Sequence, residues 1–187
     1  KTAHAAEPEN GISPLGAIQE LVDYLAPYRK VKKTERFRLL TVVHLKVGEP
    51  AFGISPGKGT LMLTLRAESD DMLSGLKNEI TAKALQVAKA NQLKLNTGEV
   101  EPFSATRNSD GFSDDLRRHA EKIKLEVLNL QDPFRWSEDV GLLTGKYGGG
   151  LFGLGAGEET PALHNPTYDF PDSLIESGVQ LLNEFIE

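Results

Sequence analysis

Hydrophobic and polar positions change period several times along this chain, and each change marks an element. Pro14 opens a helical stretch in which Leu15, Ile18, Val22 and Leu25 recur on one face, and Pro27 closes it. Residues 37–47 then alternate. Phe37, Leu39, Val43, Leu45 and Val47 are read on one face and Arg38, His44 and Lys46 on the other, the signature of a half-buried strand. Gly48-Glu49-Pro50 breaks this strand, and Pro56-Gly57-Lys58-Gly59 makes a turn. A second alternating strand sets Leu61, Leu63 and Leu65 opposite Met62, Thr64 and Arg66. Ser69-Asp70-Asp71 is an N-terminal cap for a long helix whose apolar face is Met72, Leu73, Leu76, Ile80, Ala84, Val87 and Ala88. With strands at residues 1–6 and 100–105, the order becomes β-α-β-β-α-β, a ferredoxin-like arrangement with helices on one face of an open antiparallel sheet. Such a sheet has an edge strand and is suited to pairing across a dimer.

After Arg107-Asn108-Ser109-Asp110-Gly111 the pattern changes. Ser113 is positioned to cap a helix bearing Leu116, Ala120 and Ile123, with Asp114 and Asp115 in its first turn. Residues 125–130 and 151–154 read as short strands and residues 171–186 as a closing helix. Alternating strands and helices predict part of an α/β sheet that, by itself, leaves an edge unpaired. The predicted domains are therefore 1–106 and 107–187, and the fold class is α/β with an α+β first half.

Composition narrows the function classes. The 187 residues are 39 % hydrophobic and 26 % charged, as expected of one large or two small globular domains. A net charge of -6, with Arg29-Lys30-Val31-Lys32-Lys33 as the one basic run, argues against nucleic acid as a partner. The absence of cysteine excludes disulfides, thiolate zinc sites and thiol nucleophiles. No apolar run approaches the length of a membrane span. The chain starts at Lys1 rather than Met, and a missing N-terminus and a cytoplasmic location are the expectations.

Four places carry candidate chemistry. His164 lies on an extended loop, because Pro166 biases Asn165 away from helix; a loop imidazole is either a metal ligand or plain surface. Glu138 and Asp139, after Trp136-Ser137, read as metal-proximal carboxylates or as the start of a helix capped by Ser137. The glycine run from Gly148 to Gly157 enters a strand and lacks a following Gly-Lys-Ser/Thr, which excludes a phosphate loop and leaves close backbone approach to a ligand. His4, between small alanines, is either a polar edge residue or a projecting hydrogen-bond donor. His44 and His119 are read as surface residues.

These segments together resemble the C-terminal half of the zinc-dependent aminoacylase, carboxypeptidase and amidohydrolase family of metallopeptidases. The likeness rests on five segments in order. His4-Ala5-Ala6-Glu7-Pro8 with Gly11-Ile12-Ser13-Pro14 comes first, then residues 48–56 and Leu65-Arg66. Ser137-Glu138-Asp139 and Leu163-His164-Asn165-Pro166 with Tyr168-Asp169-Phe170-Pro171-Asp172 complete it. The resemblance implies a lid, or dimerisation, domain followed by the last segment of a zinc-hydrolase catalytic domain, forming a homodimer through the lid. It implies hydrolysis of an amide bond in an N-acyl amino acid or small peptide at a site with two zinc ions. His164 would be the last metal ligand, His4 the donor to the oxyanion, and Arg66 the contact to a substrate carboxylate. Gly148, Gly149 and Gly150 would line the cleft, with Glu138 and Asp139 near the metals. Gly53 departs from the asparagine that many members use to hold that carboxylate, and Val140 from an aromatic after the Glu-Asp pair. The other ligands and the glutamate base belong to a half that this chain lacks, so the fragment is expected to be inactive and to retain no zinc. Two further readings remain at this stage: a non-enzymatic ferredoxin-like module for dimerisation or binding of a small carboxylate, and a single-domain enzyme using Glu138, Asp139 and His164.

Overall fold

In a computed structural model, which describes residues 1–31, 36–136 and 138–186, the chain forms two compact units, Lys1–Ala105 and Thr106–Glu187. The class is α+β, and among the described residues the small antiparallel sheets lie in the first unit.

Unit 1 contains β1 (Ala3–His4), α1 (Leu15–Leu25), β2 (Arg38–Val47), β3 (Ile54–Ser55), β4 (Gly59–Ala67) and α2 (Asp70–Ala90). Pro27 does not end the first helix outright: a 3-10 turn, Ala26–Arg29, carries the chain on past it. The long ribbon is β2 against β4, antiparallel, with Leu40 opposite Leu65 and Val42 opposite Leu63. A bulge at Val43 inserts one residue, so Leu45 comes into line with Leu61. This corrects the faces read from simple alternation. Leu40 is fully buried and Val42 packs on the core, while Val43 is exposed. The Leu61, Leu63 and Leu65 face is as expected, and it meets Leu25, Leu76 and Ile80 from the two helices. Ser69 caps α2 as its sequence predicts, its Oγ accepting the Met72 N–H at 3.4 Å.

The β-α-β-β-α-β order is realised incompletely among the described residues. β1 is two residues long and pairs with β3, giving two separate two-stranded sheets in place of one four-stranded sheet. Residues 100–105 are not a strand: the Ala105 N–H goes to Asp70 Oδ1 at 2.7 Å, and Lys77 holds Glu99 at 3.1 Å, so this stretch follows α2 without pairing to a strand.

Unit 2 contains α3 (Phe112–Lys122), α4 (Val140–Tyr147) and α5 (Ser173–Ile186). Leu116, Ala120 and Leu181 form its core, with Phe112, Ile123, Leu125, Val127, Phe152 and Phe185 around them. Gly111, at φ +82°, takes the capping position of α3, ahead of the Ser113 cap expected, and Ser113 lies inside the helix. Residues 125–130 and 151–154 form no strand and have no strand partner among the described residues, so the α/β sheet expected here is not formed. Ser137 and its capping role lie outside the described residues, as do Lys32 and Lys33 of the basic run. Among the described residues no helix is long and apolar enough to cross a membrane.

Candidate functional site

His4 is placed by backbone pairing. It lies opposite Ile54 in the β1–β3 pair, and the Ala5 N–H donates to the Gly53 carbonyl at 3.0 Å. The Ala6 N–H donates to His4 Nδ1 at 3.1 Å. An Nδ1 that accepts a hydrogen bond is bare in the neutral ring, so the proton resides on Nε2. The result is an exposed imidazole with one oriented acceptor contact behind it and an N–H donor facing outward. Gly53, brought next to His4 by the same pairing, has open space where a side chain would begin. Sterics therefore do not demand glycine at this position. Arg66 is half-buried on β4, opposite Leu39, and so belongs to the other strand pair, on the face turned away from the helices.

The remaining candidates lie in unit 2. His164 is exposed and has φ +69°, a left-handed conformation that non-glycine residues adopt at a cost of roughly 1–3 kcal/mol. The cost is offset locally. The Asn165 N–H bonds the Ala162 carbonyl at 3.0 Å, closing a turn whose third residue is His164. Asn165 Oδ1 accepts both the Thr167 N–H and its hydroxyl at 2.9 Å, and the Tyr168 N–H bonds the Asn165 carbonyl. Two consecutive turns thus hold the imidazole out from the chain.

Glu138 and Asp139 are exposed at the start of α4, with Asp139 in the capping position and making no side-chain capping bond. Gly148 ends α4 at φ +77°, and Gly149 follows at φ +92°. The glycine segment is fastened to Asn108 and Ser109. The Asn108 amide accepts the Leu151 N–H at 2.8 Å and donates to its carbonyl at 3.1 Å. Ser109 and Gly149 exchange bonds at 2.8 and 3.1 Å. This explains why residues 151–154 form no strand: a side-chain amide occupies the backbone groups of Leu151. A Cβ on Gly150 would lie 2.5 Å from Phe112 and 2.6 Å from Asn108, so the missing side chain is required for this docking. Asn108 and Ser109, which read from sequence only as a boundary turn, are the residues that position the loop.

His119 is not a plain surface residue. It is half-buried, 3.5 Å from Glu184 and edge-on to Phe185. Lys122, bonded to the same carboxylate at 2.9 Å, holds Glu184 below the ordinary carboxylate range, with His119 adding to the effect. His44 is exposed on β2, as expected.

The donor set does not amount to a metal centre. Among the described residues no three of His, Asp or Glu gather closely enough to hold a metal ion. Glu138, Asp139 and His164 therefore do not assemble the self-contained site that one reading of the sequence allowed.

No protein-family model matches the chain. Solved structures do. One is assigned as an aminohydrolase, from methicillin-resistant Staphylococcus aureus, with TM-score 0.75 and 14 % identity over 100 % of this chain and 49 % of that one. Aminopeptidase PepT from Bacillus cereus aligns with TM-score 0.73 and 16 % identity, over 100 % and 48 %. The YXEP protein of Bacillus subtilis, a dinuclear metal-binding peptidase of the M20 family, aligns with TM-score 0.73 and 14 % identity, over 95 % and 46 %. The chain has their fold. It spans about half their length, and at these identities the likeness is one of fold. These are the kinds of protein to which the sequence resemblance pointed.

Proposed function

We propose that this chain is the lid and closing catalytic segment of a metal-dependent hydrolase that cleaves the amide bond of N-acyl amino acids or small peptides. The observation that carries the reading is His4, which the strand pairing and the Ala6 N–H orient as an outward Nε2–H donor in a chain with the fold of peptidases and amidohydrolases. Attack on an amide carbonyl places negative charge on its oxygen, and a preorganised donor lowers the barrier by meeting that charge as it develops. His4 serves this role, because its Nδ1 is already satisfied and the ring need not reorient. Arg66 supplies a fixed cation for a substrate carboxylate, and the glycine segment from Gly148 to Gly150 forms a wall of the cleft with no side chains to obstruct it.

His164, held out by its two turns, would supply one imidazole to the metal site, with Glu138 and Asp139 as candidate metal-proximal carboxylates. The metal, zinc by the sequence resemblance, activates water and polarises the carbonyl when bound. One imidazole does not hold it, so the isolated chain is expected to be inactive. The test uses the natural full-length polypeptide assayed on N-acyl amino acids and dipeptides. His4→Ala lowers kcat by roughly 10²–10³-fold and leaves metal content unchanged. Loss of metal with that substitution would assign His4 to the metal site instead.

A further inference from the structure

The glycine segment after α4 is held by hydrogen bonds rather than by side chains of its own. Gly148 and Gly149 stand at φ +77° and +92°, and ordering glycine costs more backbone entropy than ordering any other residue. Four hydrogen bonds from Asn108 and Ser109 offset that cost, two between the Asn108 amide and the Leu151 backbone and two between Ser109 and Gly149. A side-chain amide suits the first pair, because it offers a donor and an acceptor side by side to one residue's carbonyl and N–H. The clamp is itself seated on α3. Asn108 Nδ2 also donates to Ser113 Oγ at 3.2 Å, and the Phe112 N–H donates to the Ser109 carbonyl at 3.1 Å. α3 carries Leu116 and Ala120, so the glycine backbone is tied to the core of unit 2. Phe152 packs on the same core and anchors the chain beyond Leu151 by itself. What Asn108 and Ser109 add is a fixed course for the stretch that has no side chains.

We propose that Asn108, with Ser109, is a positioning residue for substrate: it holds the Gly148–Gly150 backbone in the one course along which that backbone meets the bound amide. The inference rests on the hydrolase reading and adds to it a residue that touches neither metal nor substrate. Asn108 acts through the wall it holds, so its removal weakens binding and leaves the chemical step intact.

The experiment compares wild type, Asn108→Ala and Ser109→Ala in the natural full-length polypeptide, on a panel of N-acyl amino acids and dipeptides. Asn108→Ala is expected to raise KM about tenfold with kcat and bound metal unchanged, because a displaced wall weakens ground state and transition state alike. Ser109→Ala removes only the bond to the Gly149 N–H and raises KM about threefold. Hydrogen exchange reads the clamp directly: the Leu151 amide exchanges faster in the first variant and the Gly149 amide in the second. Faster exchange with an unchanged KM, measured well below the melting temperature, overturns the assignment, since the clamp is then structural alone. Unchanged exchange overturns it as well, as does a loss of bound metal or a fall in kcat at constant KM. If Asn108→Ala does not fold, Ser109→Ala decides by the same criteria. These results leave the hydrolase reading standing, whereas a wild type inactive on the whole panel overturns both readings.

Discussion

His4 and Glu79 show two ways in which a solvated side chain is held. His4 is oriented by a neighbour two residues away, through the Ala6 N–H, and its position between small alanines and before a turn is visible in the sequence. Its tautomer is not, because that depends on one backbone N–H. Glu79 is oriented from far along the chain. Tyr24 donates to its Oε1 at 2.8 Å and Tyr28 donates to the same oxygen, and Arg38 lies over the Tyr28 ring. These bonds, Tyr28 first, with the Arg38 charge, hold the Glu79 carboxyl below its ordinary 4.5, and both phenols are pushed above 10.0, chiefly by Glu79. A carboxylate with a lowered folded value stabilises fully above its unfolded value, and loses that contribution as pH falls through the folded one. Glu79→Gln is therefore expected to lower the stability of unit 1 at neutral pH and to flatten its decline below about pH 4.5. Urea denaturation across a pH series measures this, and an unchanged acid slope would uncouple Glu79 from folding. Nothing local in the sequence announces this clamp, since its partners are 51 and 55 positions away.

Among the elements, periodicity located β4, α1, α2 and α3, and it failed where one residue changes the phase. The bulge at Val43 brings Leu45 onto the face of Leu40 and Val42, so a single alternating series through it puts Leu39 and Val43 on the wrong side. The helix α4 was readable only as one of two alternatives at Glu138 and Asp139, because Gly141 and Gly145 weaken its pattern; both cost helix stability relative to alanine. The two kinds of glycine here should respond oppositely to alanine. Gly145 has nothing within 4 Å of a built Cβ, so Gly145→Ala should stabilise unit 2 by about 0.5–1 kcal/mol. Gly150 faces Phe112 and Asn108, so Gly150→Ala should destabilise it by about 1–3 kcal/mol and loosen the glycine segment. Thermal melts of the two variants check the signs. Both long edges of the β2–β4 ribbon are unpaired among the described residues, which supports the proposed dimer through unit 1. Sedimentation at high concentration should show the dimer, and a monomer there would count against it.

For the whole molecule, the sequence conveyed the class and the likeness to peptidases and amidohydrolases, and it overstated the sheets. Residues 100–105, 125–130 and 151–154 carry strand-like patterns but form no strand, because a pattern specifies a period and not a partner. Unit 2 shows the same incompleteness in its helices. α5 buries Gly178 and Leu181 and leaves Ile175, Val179, Leu182 and Ile186 exposed along a second stripe. A helix apolar on two sides is suited to burial between layers. Together with a span of about half the matched structures, this supports the proposal that the site is completed by polypeptide outside this chain. Elemental analysis of bound metal, on this chain and on the natural full-length polypeptide, tests that claim most directly. The account predicts no stoichiometric metal in the 187-residue chain and about two ions per full-length chain. Stoichiometric metal bound by the 187-residue chain alone would contradict it.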